Sequence, residues 1–436
     1  MNVLVLTNTF TPHVGGVARS VERFVAEYRR LGHRVLVVAP ELGIAPEVEE
    51  GVIRVPALVG FTGGDFAVPV PVPGRVAAAV DRFGPHVVHS HHPFLLGDTA
   101  LRVAAARGLP VVFTHHTLYE CYTHYVPGDS PRMKRFAIEL AVGYCNLCDA
   151  VIAPSESVEE LLRERGVTVP IRVIPTGVDL PRFATGDGAA FRAARGIPPE
   201  ALVVGHVGRL APEKNLGFLA RAVAGFLEAR PEARFLVVGD GPARVTVAEE
   251  LARRGLAERL HEAGVLGGEE LVSAYRAMDL FAFASHTETQ GMVLAEAMAA
   301  GVPVVAVDAP GAREVVRDRE NGRLLPADDE DAFAAALAWV ADLRGEARGR
   351  LAAAVAETAR RFSLERTAAD ALDLYRYLVR ARPAPKELES SLWAMARRRL
   401  AEEWKIVRNI AAAAGESVRH PEGAVPGSLL ETRRGR

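Results

Sequence analysis

Residues 280–298 read Leu280-Phe281-Ala282-Phe283-Ala284-Ser285-His286-Thr287-Glu288-Thr289-Gln290-Gly291-Met292-Val293-Leu294-Ala295-Glu296-Ala297-Met298. The opening run is continuously apolar, the pattern of a strand covered on both faces. A helical pattern follows from about Met292 to Ala300. Gly301-Val302-Pro303 then leads into a second apolar run. Strand, turn, helix and strand in this order make the repeating unit of a parallel α/β sheet. Glu288 falls on the strand-to-helix turn and Glu296 early in the helix. Gly291 permits close backbone approach, and the N–H groups of Met292 and Val293 open a helix start that can receive an anion.

The same unit repeats on either side of this stretch. Apolar runs at Val3–Leu6, Val35–Ala39, Val87–His89, Val111–Thr114 and Val151–Ala153 form one series. Leu202–Gly205, Phe235–Val238, Leu280–Ala284 and Val302–Val307 form another. Two series predict two Rossmann-like domains whose ligands bind beyond the carboxyl ends of the strands, from opposite walls of a facing cleft. The stretch 181–199, rich in Gly, Ala and Pro, reads as the linker. The expected division is 1–182 for an N-terminal Rossmann-like domain and 183–382 for a C-terminal one. Residues 383–436 form an amphipathic helix, about Lys386 to Ala414, and a disordered tail from Gly415.

A chain of 436 residues with 49% hydrophobic content and a net charge of −2 has ample core and no bulk charge for general nucleic-acid binding. Met1 runs straight into Asn2-Val3-Leu4-Val5-Leu6, so no signal peptide is expected, and no run reaches transmembrane length. Cys121, Cys145 and Cys148 read as ordinary thiols of a cytoplasmic protein, since Cys145-x2-Cys148 lacks a second pair.

Carboxylates beside an anion site call for hydroxyl partners. A nucleotide sugar offers both, with a pyrophosphate for the N–H groups and sugar hydroxyls for Glu288 and Glu296. A solvated glutamate pair favoured by the helix dipole is the competing reading. Three further loops follow strands. Thr7-Asn8-Thr9-Phe10-Thr11-Pro12-His13-Val14-Gly15-Gly16 ends in two glycines before a helix and lacks the dinucleotide G-x-G-x-x-G. Val204-Gly205-His206-Val207-Gly208-Arg209-Leu210-Ala211-Pro212-Glu213-Lys214-Asn215 brings two cations, Arg209 and Lys214, that can neutralise a pyrophosphate. His115-His116-Thr117-Leu118-Tyr119 follows the strand Val111–Thr114, and Glu120-Cys121-Tyr122-Thr123-His124-Tyr125 continues it.

Glu288-x7-Glu296, with the Gly208-Arg209…Lys214-Asn215 loop, resembles the donor motif of the retaining family 4 glycosyltransferases, which have the GT-B fold. The stretch 115–125, with Thr287-Glu288-Thr289-Gln290-Gly291, is similar to the diacylglycerol glucosyltransferase branch. The resemblance covers about residues 1–382, and implies that 1–182 is the acceptor-side domain and 183–382 the nucleotide-sugar-binding domain with its crossover helix. It implies an α/β GT-B enzyme that moves a hexose, glucose in the resembled branch, from a UDP-sugar to a lipid such as 1,2-diacylglycerol. It implies that Glu288 holds the transferred sugar, Glu296 the ribose, and His116 the reacting centre, with His115 the alternative register. Gly15, Gly16, Arg209, Lys214, Gly291, Met292 and Val293 would bind the donor. Tyr119, Tyr122, His124 and Tyr125 are acceptor candidates.

The sole Asp-x-Asp, Asp329-Glu330-Asp331, opens a helix and is better explained by capping. No cofactor and no metal held by that motif are expected. A soluble acceptor such as a sugar or inositol phosphate remains an alternative. From other classes, so do a sugar-phosphate epimerase or phosphorylase, and a catalytically silent scaffold. In the last segment Leu388, Leu392, Ala396, Leu400, Trp404, Val407 and Ala411 recur at helical spacing among Arg397, Arg398, Arg399, Lys405 and Arg408. Such a helix suits an anionic membrane, its own protein or a partner chain. The basic start of a second helix, Pro131-Arg132-Met133-Lys134-Arg135, offers the same choice between a membrane contact and a solvated face.

Overall fold

The computed structural model describes residues 1–13, 15–41, 49–59, 67–69, 73–121, 130–381 and 392–419. Contacts group the chain into two units, Met1–Gly177 with Thr367–Arg436, and Val178–Arg366.

The strands of the first unit are β1 (Asn2–Leu6), β2 (Arg34–Pro40), β3 (Val52–Val55), β4 (Ala57–Val59), β5 (Ala67–Pro69), β6 (Val87–Ser90), β7 (Val111–Thr114), β8 (Ala150–Ala153) and β9 (Ile171–Val173). Seven form one sheet in the order β3-β2-β1-β6-β7-β8-β9, while β4 and β5 make a separate antiparallel pair. All neighbours in the seven-stranded sheet run parallel. Alternation along β1 divides the core. Leu4 and Leu6 belong to the cluster on one face, Val3 and Val5 to that on the other.

Each face is finished by a distant helix. Ala368, Ala371, Leu372, Leu374, Tyr375 and Leu378, from the helix Leu364–Ala381, join the Val3 face. Ile406, from the helix Leu392–Arg419, joins the other. The crossover segment expected with the second domain is thus grouped, from Thr367 onward, with the first. The last helix also passes the expected end at Ala414 and reaches Arg419. Gly415 alone costs about 1 kcal/mol relative to alanine and does not end a helix held by packing.

The strands of the second unit are β10 (Leu202–Val207), β11 (Ala233–Val238), β12 (Leu260–Gly264), β13 (Leu280–Phe283), β14 (Val304–Val307) and β15 (Gly322–Leu325). Their order is β12-β11-β10-β13-β14-β15, all parallel. The second unit therefore shows the doubly wound order 3-2-1-4-5-6, and the first shows the same order with a seventh strand, β9, added at the end. The order reverses between β1 and β6 and between β10 and β13, where crevices open at the carboxyl ends.

The stretch read as a linker is structured. Helices Leu180–Phe183 and Gly188–Ala194 are capped by the Asp179 and Asp187 side chains and bury Phe183 and Phe191. Gly186 and Gly188 are small because they lie against the helix Gly268–Arg276. A Cβ on Gly188 would sit 2.3 Å from the Arg276 carbonyl oxygen. Among the described residues no helix is long and apolar enough to cross a membrane.

Candidate active site

In the second unit, the loops after β10 and β13 flank the point where strand order reverses. Lys214 and Glu288, one from each loop, form an ion pair with both side chains largely shielded. Arg209 pairs with Glu213 within its own loop. The loop after β11 backs the first: Gly208 N donates to the Val238 carbonyl and Leu210 N to the Asp240 carbonyl. A Cβ on Gly239, at φ 136°, would lie 1.9 Å from the Gly208 carbonyl oxygen.

Glu288 is fixed from below by two glycines. Gly291 has φ 70° and ends the turn as N-cap of the helix Met292–Ala299, which no side chain caps. The first-turn N–H groups, including those of Met292 and Val293, have no acceptor one turn back in the helix. Gly311, at φ 80°, approaches so closely that its Cβ would meet the Glu288 Cβ at 2.7 Å. A Cβ on Gly291 would meet the Gly311 carbonyl at 2.8 Å. In the helix itself Glu296 is 4% exposed, and its Oε2 accepts from the Tyr275 hydroxyl at 2.9 Å. A pair of solvated glutamates is therefore excluded.

His206 was not singled out from the sequence. It lies buried on β10 with Nδ1 3.1 Å from the Ala282 carbonyl oxygen, so Nδ1 carries the proton and Nε2 is an acceptor. Burial brings its pKa down to about 4. Asp329 caps the helix Glu330–Asp342, its Oδ1 accepting from Ala332 N at 2.9 Å, and Glu330 binds Arg221.

In the first unit, Gly15 is the N-cap of the helix Gly16–Arg30, again without a side-chain cap. A Cβ on Gly15 would touch His13 Nε2 at 3.0 Å. The loops after β6 and β7 hold a histidine cluster. His116 Nε2 lies 2.8 Å from His91 Nδ1, with the rings stacked at 5.1 Å. His89, 4.1 Å from His91 between ring centroids, contacts Thr114 Oγ1 at 2.7 Å and the Tyr375 hydroxyl at 2.6 Å. Asn8 N donates to His92 Nδ1 at 3.1 Å. Asn8 also ties the loop after β1 to the loop after β6, its Nδ2 donating to Phe94 O and its Oδ1 accepting from Leu96 N.

His115 faces inward instead. It is 2% exposed, stands edge-on to Phe113 and Tyr119, and its Nδ1 has no hydrogen-bond partner among the described residues. Tyr119 packs on Phe94 and His115, with its hydroxyl buried and likewise unpartnered. Tyr122, His124 and Tyr125 lie outside the described residues.

Burial brings His89 and His92 down to about 3 and His115 to about 4. His91 and His116 are held well below the usual histidine value, by burial first and then by neighbouring imidazoles. At neutral pH the cluster is uncharged, and the His91–His116 contact holds one shared proton. Cys145 and Cys148 are buried in the apolar cluster of this unit, and burial raises both thiols. His91 and His92 were missed by sequence reasoning. The available signal was a histidine pair just past the end of a strand-like run, the pattern also shown by His115 and His116.

A family model for Glycosyltransferase Family 4 matches residues 14–182, and one for Glycosyl transferases group 1 matches 188–361. The chain is 32% identical to a GDP-mannose-dependent alpha-mannosyltransferase of Mycobacterium tuberculosis, over 75% of this chain and 84% of the relative. The chain belongs to the family 4 glycosyltransferases. It is also similar to an alpha-monoglucosyldiacylglycerol synthase of Streptococcus pneumoniae, at 28% identity over 74% of this chain and 75% of the relative. A D-inositol 3-phosphate glycosyltransferase of Saccharomonospora viridis is 35% identical over 66% and 69%. Among solved structures, the Anabaena protein HepE in complex with UDP-glucose aligns at a TM-score of 0.63 and 23% identity, covering 86% of this chain and 100% of that one. The two parallel-sheet units and helical extension are the GT-B fold of this family, and the chain is a glycosyltransferase.

Proposed function

We propose that the enzyme moves glucose from UDP-glucose to a lipid hydroxyl such as that of 1,2-diacylglycerol, with retention at the anomeric carbon. The Lys214–Glu288 pair beside an uncapped helix start carries the donor half of this reading. It sets a cation and anion-seeking N–H groups next to a carboxylate that can receive hydroxyl donors. The similarity to the diacylglycerol glucosyltransferase branch supports the acceptor half.

In the reaction the bond from the anomeric carbon to the phosphate oxygen breaks, and UDP leaves with the bonding electrons. The acceptor hydroxyl attacks the same face and its proton passes to the departing phosphate oxygen. No protein nucleophile is needed. The main task is to stabilise charge growing on the leaving group. Arg209, Lys214 and the N–H groups at Gly16, Met292 and Val293 take that role, so no metal need be held by Asp329 and Asp331. Glu288 holds sugar hydroxyls and Glu296 the ribose. His116 is assigned to the reacting centre in preference to His115, which is committed to the interior. Its neutral ring suits a transition state that gathers positive charge on the sugar.

A second reading keeps the fold and chemistry but exchanges the substrates. Identities of 32% and 35% to a GDP-mannose-dependent enzyme and an inositol 3-phosphate glycosyltransferase favour testing it alongside. The deciding assay offers UDP-glucose and GDP-mannose in turn with diacylglycerol in mixed micelles and with inositol 3-phosphate, with no added metal. An α-linked glucolipid is expected. Turnover only with another pair would replace the donor or acceptor assignment.

A further inference from the structure

The C-terminal helix Leu392–Arg419 has two faces with opposite fates. Its inner face is spent on the first unit. Glu402, Ile406 and Ala413 are 8%, 3% and 1% exposed. Arg102 grips Glu403 through Nε and Nη2, at 2.6 and 3.1 Å, and Asn409 Nδ2 donates to the Leu140 carbonyl at 3.3 Å. Gly143 makes room for this contact, since a Cβ there would lie 1.6 Å from Asn409 Oδ1. Docking of this helix on its own protein is thus already satisfied.

The outer face is apolar as well. Trp404, Val407 and Ile410, spaced three residues apart, are 68%, 55% and 43% exposed. Residues 392–414 contain five basic and two acidic side chains. Both acids are occupied by the protein: Glu402 is buried and bound by Lys405 at 3.1 Å, and Glu403 is held by Arg102. Arg408 is exposed and makes no ion pair among the described residues. Among the described side chains, what faces outward is an aromatic and aliphatic stripe flanked by the exposed cations Lys405 and Arg408, on a helix whose sequence carries a net positive charge. The helix beneath it starts with Arg132 and Lys134.

We propose that this outer stripe seats the enzyme on an anionic lipid bilayer, the helix lying in the interface with Trp404, Val407 and Ile410 at the headgroup–acyl boundary. Such a stripe with a cationic rim matches the chemistry of that interface, and tryptophan prefers it to either bulk phase. A symmetric contact with a second copy fits less well, because it would set like charges against each other. The geometry stands independently, and only its purpose, access to a membrane-borne acceptor, rests on the function proposed above.

The test is co-sedimentation of the full chain with vesicles of phosphatidylcholine alone, or with about one-third phosphatidylglycerol, the proportion chosen to set a negative surface potential. The vesicles contain no diacylglycerol, so binding is read apart from catalysis. Wild type is expected to bind the anionic vesicles, and less so as salt rises. Trp404→Glu with Val407→Glu should weaken that binding at least about tenfold, and Arg408→Gln should weaken it less. Melting temperature and UDP-glucose binding should stay unchanged in both variants. No binding by wild type, or equal binding by wild type and the double variant, overturns the proposal. So does a dimer in sedimentation velocity that the double variant abolishes without any effect on vesicles. Failure to make a glucolipid, with vesicle binding intact and lost in the variant, would instead count against the acceptor assignment alone.

Discussion

Lys214 and Glu288, 74 residues apart in sequence, meet as an ion pair at the point where the second sheet reverses its strand order. Each is assigned a different part of the donor, so substrate must share or divide the pair. Lys214→Ala and Glu288→Ala should each weaken UDP-glucose binding, and the double variant should lose less than the sum. A coupling of about 1–3 kcal/mol is the expected scale for contacting charges. Calorimetric titration of the four proteins measures it, and additive losses would separate the two roles.

Glu296 and His116 should fail differently. Glu296→Ala removes a buried carboxylate bound by Tyr275 and should mainly weaken donor binding. His116→Ala should mainly lower kcat. His91→Ala, acting through the 2.8 Å contact, should lower kcat with little change in KM, with partial recovery in His91→Gln. Unchanged kinetics in both the Glu296 and His116 variants would remove the site assignment.

The buried histidines make stability depend on acid. His89, His92, His115 and His206 have folded-state values of about 3 to 4, below the unfolded value of about 6.5. Above that value neither state takes up the proton and nothing is lost. Below it the unfolded chain binds protons that the folded chain refuses, so stability falls down to the folded values. At one pH unit below 6.5 the loss is about 1.4 kcal/mol for each such histidine. Melting temperatures should be level from about pH 8 to 7 and drop steeply below about 6. A flat profile down to pH 5 would contradict the buried neutral cluster.

Gly311→Ala tests how Glu288 is held. The new Cβ would fall 2.7 Å from the Glu288 Cβ, at a backbone angle of 80° that alanine tolerates poorly. Donor affinity should fall about tenfold as the carboxylate shifts, against about 1–2 kcal/mol lost in folding. Titration beside a thermal melt separates the two. A variant that melts lower yet binds normally would show that the close approach is structural only.

The strands legible in sequence were those buried on both faces, because continuous apolar runs such as Val87–His89 and Leu280–Ala284 leave little choice. Those that escaped lie mostly at sheet edges and carry polar residues. Arg54 interrupts β3, His261 and Glu262 interrupt β12, and Arg323 interrupts β15. The site motifs were readable as loops following strands. Their pairings were not, since Lys214 finds Glu288, and His91 finds His116 across 25 residues, only once the sheet order is known. The stretch 181–199 misled because Gly186 and Gly188 serve close packing rather than flexibility.

One connection bears on how the chain is made. Tyr28 and Tyr375 share a contact between hydroxyls at 3.1 Å, and Tyr375 reaches on to His89, which packs beside the His91–His116 contact. During synthesis the first 177 residues leave the ribosome long before residues 367–413, which cover both faces of their sheet. The second unit, contiguous from Val178 to Arg366, can close first. The first can pack Val3, Val5, Leu4 and Leu6 against its own early helices, but Ala371, Leu372 and Tyr375 on one face and Ile406 on the other arrive only with the end of the chain. The unit translated first is thus completed last, and a chain ended just after Arg366 would hold the whole second unit joined to a first unit that lacks its final helices.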